Sequence, residues 1–274
     1  MSERAIDYAE GIPIMIMLLG GTSETAPLAG ALLQAGYRVL VSTATDAPLS
    51  LPVHPRLERR HGRLDGTAMV ELMRRRHIRA LIDAAHPYAA RAREEAQMAA
   101  AALNLPYLRW ERPATDFEGF PVTPAADHEQ AAELAFTDGR PVLLTTGSRH
   151  LSPYVTRARQ TGIRLRARVL PHEESRIAVA QAGLSTDEVI YGKGPFSVAS
   201  NRTHIRKHGI GVLVTKDSGE AGGVPAKLQA AGLERCIVIV VQRPAVSTLF
   251  PRFQHLPELL AALSAVVPIQ NSSL

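Results

Sequence analysis

Short apolar runs alternate with segments whose apolar positions recur at helical spacing along most of the chain. The run "IMIMLL", residues 14–19, is apolar throughout and predicts a strand buried on both faces. A helical pattern follows over residues 24–35 and stops at Gly36. "YRVLVST" is the next strand and "RLERRHG" a candidate third. "DGTAMVELMRRRH" predicts a helix capped by Asp65, and "IRALIDA" a strand. Residues 87–103 predict an alanine-rich helix, and "PYLRWERP" closes the set. A second set begins near Pro113. Here "PVLLTT", "RLRARVL", "EVIYG", "GVLVTK" and "RCIVIVVQRP" predict strands. Helices are predicted in "RHLSPYVTRARQT", around residues 173–182, 197–208 and 222–231, and over 257–267.

Strands that alternate with helices imply βαβ units, right-handed crossovers and mainly parallel sheets. Pro113, Gly119, Pro121 and Pro124 cluster between the two sets, so the chain is expected to divide there. The expected fold class is α/β, with two doubly wound domains of mainly parallel sheet facing a central cleft. Their expected extents are residues 14–112 and 113–267, with loose termini at 1–13 and 268–274. One continuous sheet is the alternative.

Composition supports this picture. Only 5% of residues are aromatic against 46% hydrophobic, which favours helices on parallel sheets over a β-sandwich. The single cysteine, Cys236, opens the run "CIVIVV" and reads as a buried strand residue in a reducing compartment. No run approaches the ~18–20 apolar residues that span a bilayer. The start "MSERAIDYAEGIP" lacks the basic-then-apolar order of a signal peptide, so a cytoplasmic protein is expected. Lys and Arg exceed Asp and Glu by 31 to 26. The basic clusters "RRHGR", "MRRRH" and "RTHIRKH" lack interleaved aromatics, which argues against nucleic acid. They read as solvated helix faces, or as a field that draws an anionic small molecule.

In open parallel sheets ligands bind beyond the carboxyl ends of the strands. The strand ends here run into "GGTSE", "STATD", "AHPY", "ERP", "GSRH", "KGPFS" and "DSGEAGG". In "GGTSE" the glycines permit close backbone approach and the following helix start favours phosphate. The competing reading is a tight turn with a Thr or Ser cap and Glu24 complementing the helix dipole. No Walker-type loop is present. The second strand ends in Ser42-Thr43 where an NAD-binding strand often ends in an acid. That leans to a 2′-phosphorylated cofactor, although Asp46 lies near. His86 stands at a strand end before Pro87. Lys216 and Asp217 stand together at another, either as a surface pair or as a carboxylate-binding lysine beside a proton-handling acid. His204 and His208, one turn apart in "HIRKH", lack an evident third ligand, so no metal site is expected.

The motifs "LLGGTSETAPLA", "GRLD", "LIDAAHPYA", "YLRWERP", "LLTTGS", "GKGPFS", "VTKDSGEAGGVPAKLQAA" and "VVQRP" occur in this order between about residues 14 and 244. In them the chain resembles the precorrin-6A reductases of cobalamin biosynthesis. The resemblance implies two Rossmann-like domains and an NADPH-dependent reduction of precorrin-6A to precorrin-6B. The substrate would be a macrocycle bearing many carboxylates. Gly20, Gly21, Thr22 and Glu24 match the family's phosphate loop, with Ser23 inside it, and Ser42, Thr43 and His86 complete the expected cofactor set. His86 and Pro87 match its "HP" strand end, with Tyr88 where Phe is also common and Ala85 where Thr often stands. Thr215, Lys216, Ser218, Gly219 and Gly223 match its "TK.SG..GG" motif. Arg109, Arg112, Lys193, Lys216 and Lys227 are the expected carboxylate contacts, and Thr146, Gly147, Ser148 and Ser197 join them as candidate substrate residues. Catalytic candidates are His86, Tyr88, Lys216 and Asp217, with the proton donor left open. The cobalt-bearing form of the ring, and neighbouring pathway enzymes as partners, stay open alternatives. So does a non-enzymatic NADPH sensor. A generic small-substrate reductase is disfavoured because no Tyr-x-x-x-Lys occurs in the first half.

Overall fold

The structure, a computed structural model, describes residues 14–244 and 250–269. The expected loose N-terminus, and the tail from residue 270, therefore lie outside the described residues. The chain forms two compact units. One comprises residues 14–112 together with 250–269, and the other residues 113–244.

The first unit contains β1 (Met15–Leu19), α1 (Thr25–Gln34), β2 (Arg38–Thr43), β3 (Leu57–His61), α2 (Gly66–Arg75), β4 (Ile78–Asp83), α3 (Ala90–Ala102) and β5 (Tyr107–Trp110). The second contains β6 (Val122–Ala125), α4 (His128–Ala135), β7 (Val142–Leu144), α5 (Ser152–Thr161), β8 (Leu165–Val169), α6 (Glu173–Gln181), β9 (Val189–Tyr191), α7 (Val198–His208), β10 (Val212–Lys216), α8 (Val224–Leu233) and β11 (Ile237–Val241). β12 (Arg252–Phe253) and α9 (Leu256–Val266) return to the first unit.

Each unit has its own six-stranded sheet, so the alternative of one continuous sheet is excluded. All strand pairings among the described residues are parallel. The first sheet runs β3-β2-β1-β4-β5-β12, the strand order of a dinucleotide-binding fold. Alternation along its strands sorts two cores. Ile16, Leu18, Val39, Val41 and Ile82 meet α1 and α9, while Met15, Met17, Leu40 and Leu81 meet α2 and α3. The second sheet runs β9-β8-β7-β10-β11-β6, and Leu143, Leu213, Val238 and Val240 pack on α7 and α8.

The expected extent of the second domain, residues 113–267, is corrected at its end. Leu259 and Leu263 of α9 are fully buried in the first unit's core, and β12 pairs with β5 through Arg252 and Arg109. The tail was also expected to be loose from residue 268, yet Ile269 packs against the same core and Tyr37 donates to the Val267 carbonyl at 2.9 Å. Three elements are not among those expected from the sequence. β6 carries Pro124 and lies at a sheet edge, where a missing N–H is tolerated. β12 has two residues, and α4 has eight, capped by Asp127. α3 starts at Ala90, later than expected. His86 to Ala89 form a turn, closed by the Ala89 N–H donating to the His86 carbonyl at 2.8 Å. Cys236 precedes β11 half-buried, and burial raises its thiol to about 11.

Candidate functional site

Both sheets have a point where the strand order reverses, between β1 and β4 in the first and between β7 and β10 in the second. Such points open a crevice at the strand ends. Most residues singled out from the sequence fall at these two places.

In the first unit the loop after β1 turns sharply. A Cβ on Gly20 would stand 2.4 Å from Thr25 Cγ2, so any larger residue would displace the Thr25 side chain. Gly21 has φ of +110° and open space where a Cβ would point. Thr25 organises the loop, its hydroxyl accepting the Gly21 and Thr22 N–H groups at 2.9 and 3.1 Å. This threonine was not foreseen; its signal was a hydroxyl residue in the first turn of a helix. The loop is therefore not a nest of idle amides. What it offers is the opening at Gly21 and the start of α1, whose N-cap, Glu24, makes no side-chain cap. Thr22 donates to the Ala84 carbonyl at 3.3 Å, linking this loop to the end of β4. A small crevice lies between them, lined by residues including Thr22, Glu24, Ala85, Pro87 and Trp110.

Several expected contacts are corrected here. Glu24 does not face a phosphate, because Arg112 binds its carboxylate at 2.5 Å, with Ser23 donating to the same oxygen at 3.1 Å. Burial alone would raise the Glu24 carboxyl, but the Arg112 hydrogen bond and charge outweigh it and hold it below the usual range. Arg112 is thereby spent within the unit and is not a free carboxylate contact. Arg109 is likewise no surface cation. It is 2% exposed and lies 2.6 Å from Asp83, which is 0% exposed. Asp83 also accepts from the Tyr107 hydroxyl at 2.6 Å and the Ala85 N–H at 2.8 Å. This buried network sets the path of the chain into His86.

Ser42 and Thr43 are buried as well, so their hydroxyls do not themselves face a ligand. Thr43 donates to the Thr45 carbonyl at 2.7 Å. Ser42 accepts from Arg60 Nη1 at 2.8 Å, while Nη2 donates to the His61 carbonyl at 2.6 Å. Arg60, read from the sequence as part of a solvated basic cluster, is thus anchored at the end of β3 beside the β2 tip. His86 accepts the Tyr88 N–H on Nδ1 at 3.3 Å, which leaves the neutral ring's proton on Nε2. Its ring centroid is 5.7 Å from that of Tyr88.

In the second unit, Thr146, Gly147 and Ser148 follow β7, and Lys216 to Gly223 follow β10. Thr146 is buried, with no partner for its hydroxyl among the described residues. Gly147, at φ +89°, borders open space, and Ser148 donates to the Ser175 hydroxyl at 3.2 Å. Lys216 is partly exposed; burial of its ammonium and the nearby Arg149 charge push it down to about 8. Two unforeseen histidines sit in its field. His128 and His150 stack at 4.2 Å, and His128 Nδ1 lies 2.9 Å from the Tyr154 hydroxyl. Burial first, then His150 and Lys216, lower His128 to about 4, and burial followed by Lys216 lowers His150.

Asp217 is corrected as a proton-handling acid. It is buried, accepts the Thr115 N–H and hydroxyl at 3.0 and 2.8 Å, and pairs with Arg243 at 2.9 Å. An anion so held anchors the loop. Ser197 caps α7 by accepting the Ser200 N–H at 3.1 Å, so its hydroxyl is already used. Ser218 and Thr215 are buried, whereas Lys193 is exposed. Gly219 and Gly223 both have positive φ, and a Cβ on Gly223 would come 3.1 Å from Pro195. Lys227 is buried beneath Thr215 and is no surface contact. His204 and His208 face Arg168 and Arg166 at 3.3 Å each. No described helix is long and apolar enough to cross a membrane.

Comparison with known proteins places this fold in a family. The family model for "Precorrin-6x reductase CbiJ/CobK" matches residues 15–264. The cobalt-precorrin-6A reductase of Priestia megaterium is 32% identical over 244 residues, covering 88% of this chain and 96% of that protein. The precorrin-6A reductase of Rhodococcus erythropolis is 33% identical over 237 residues, covering 84% and 89%. A solved structure described as CobK precorrin-6A reductase has a TM-score of 0.74 at 26% identity, covering 92% of this chain and 97% of that one. The match spans both units and reaches into α9 of the first, so this chain belongs to the precorrin-6x reductase family.

Proposed function

We propose that this chain reduces the precorrin-6A macrocycle to precorrin-6B with NADPH. Membership of a reductase family implies a nicotinamide cofactor, and the first unit's residues fit a dinucleotide. The observation that carries the reading is the conjunction at its strand ends. Gly21 opens onto space at an uncapped helix start, and Arg60 is anchored on Ser42 at the tip of the neighbouring strand. The first suits a pyrophosphate and the second a ribose 2′-phosphate, since an arginine near this strand end accommodates NADP. An acid at residue 42 would pair with Arg60 and cancel that charge.

The bound cofactor supplies the hydride; the protein's own task is placement and a proton. Gly20 and Gly21 let the backbone close on the phosphates. His86 and Tyr88, side by side at the β4 end, are the candidates for the route by which that proton arrives. In the second unit Lys216 binds a macrocycle carboxylate, with His128 and His150 held neutral beside it so that they add no further positive charge. Thr146 offers an unspent hydroxyl at the same strand ends.

The test is anaerobic incubation of the protein with precorrin-6A and NADPH. NADPH absorbance should fall, and the product should gain two hydrogens by mass. Parallel reactions with NADH and with the cobalt-bearing macrocycle separate those alternatives. Failure of NADPH oxidation with both macrocycles rejects the reading.

A further inference from the structure

Arg168 of β8 and Lys227 of α8 are 6% and 7% exposed, and neither makes an ion pair among the described residues. Their partners are neutral. Arg168 Nη1 donates to Asn201 Oδ1 at 2.8 Å and lies 3.3 Å from His204 Nδ1. The guanidinium lies 4.1 Å from the centroid of the Phe196 ring. Lys227 donates to the Thr215 hydroxyl at 3.4 Å and the Gly222 carbonyl at 3.1 Å. The two cations share one region of the unit. Burial lowers Lys227 to about 7, and the charges of Arg168 and Lys216 add to that effect. Proteins bury like charges together only at a cost, unless an anion is supplied.

The donor count points the same way. A guanidinium has five N–H groups and an ammonium three. Among the described residues only Nη1 of Arg168 is bonded, and Lys227 has two acceptors. A second observation is independent of these charges. The turn containing Phe196 and Pro195 closes down over the region. A Cβ at Gly192 would be 2.6 Å from the Phe196 ring, and one at Gly223 3.1 Å from Pro195, so glycine permits both approaches.

We propose that Arg168 and Lys227 form an internal anion subsite of the second unit that takes one carboxylate of the substrate. The planar fork of a guanidinium matches a carboxylate, and Asn201 with Phe196 fixes its orientation. The choice of a macrocycle carboxylate as the anion rests on the function proposed above. The competing account is that Arg168 only braces β8 against α7, and the two accounts differ in sign. Removing an uncompensated buried cation should leave the melting temperature unchanged or higher, whereas removing a brace lowers it.

The experiment uses Arg168→Met and Lys227→Met, the second leaving the Arg168–Asn201 bond intact should the first unfold. Each should raise KM for precorrin-6A about tenfold or more, with KM for NADPH and the melting temperature not worsened. A lower melting temperature with unchanged KM for precorrin-6A in both variants overturns the proposal. A fluorescence titration with uroporphyrin, a polycarboxylate tetrapyrrole, separates the two levels. If wild type binds uroporphyrin and both variants bind it at least about tenfold more weakly, the subsite stands even if wild type fails to turn over precorrin-6A, and only the functional reading fails. If all three proteins bind it equally and turn over precorrin-6A with equal KM, the subsite fails and the functional reading stands.

Discussion

Arg109→Met removes the charge that faces Asp83 while keeping most of the volume of the side chain. In the structure Nη1 lies 2.6 Å from Asp83 Oδ2, and both side chains are closed to solvent. The variant leaves Asp83 with the Tyr107 hydroxyl at 2.6 Å, the Ala85 N–H at 2.8 Å and Arg93 Nε at 3.9 Å. Breaking a buried ion pair on one side costs about 3–5 kcal/mol, and the nearby Arg93 argues for the lower end of that range. At roughly 2–4 °C per kcal/mol for a chain of this size, the melting temperature should fall by roughly 6–12 °C. Thermal and urea unfolding measure it. The double variant Asp83→Asn with Arg109→Met should recover much of the loss, because no lone charge remains buried. A surface carboxylate contact would behave oppositely, with unfolding untouched and KM for the macrocycle raised. That second outcome would refute the reasoning.

Arg60→Gln should weaken NADPH binding by about 10- to 100-fold, the size of one charge-assisted contact, and leave NADH nearly unaffected; equal loss for both cofactors rejects a 2′-phosphate role. Gly20→Ala forces a Cβ against Thr25 and should cost cofactor affinity in a direct titration, whereas normal binding would mean that the loop relaxes freely. Lys216→Ala should lower kcat/KM for precorrin-6A by roughly 10- to 150-fold with little change in NADPH affinity. In wild type, kcat/KM should fall as pH rises through about 8, where Lys216 loses its charge, and a flat profile would count against the assignment. His128 takes its proton only near pH 4 in the folded protein, against an ordinary value of 6.5. The unfolded chain therefore binds more protons between these values, stability rises with pH across that window, and it is lost as pH falls. His128→Gln should flatten that rise in urea midpoints, and parallel curves for the two proteins would contradict it.

The strands of both sheet interiors could be read from the chain alone, because a strand buried on both faces must be apolar at every position. "IMIMLL" and "CIVIVV" carry that mark without reference to any neighbour. The polar ends of those strands were legible for the same reason, since ligand chemistry in a doubly wound sheet has one place to sit. The break near Pro113 was visible as a run of residues unsuited to either helix or strand. The return of the chain after the second unit was not. β12 has two residues, and its place beside β5 depends on an edge that only the folded first unit presents.

The charged residues divide along the same line. Arg109, Arg112 and Asp217 stand in or beside motifs that touch the strand ends, and each looked available. Arg109 meets Asp83 across 26 residues, Arg112 meets Glu24 across 88, and Asp217 meets Thr115 across 102. Arg60 lay in an unremarkable basic cluster and is brought to Ser42 by strand register, with Ser42 and Arg60 directly paired. Sequence determines which residue types can carry a charge to a strand end. Whether that charge is spent inside the protein or left for a ligand depends on the partner the fold sets opposite it, and a partner tens of residues away leaves no local trace.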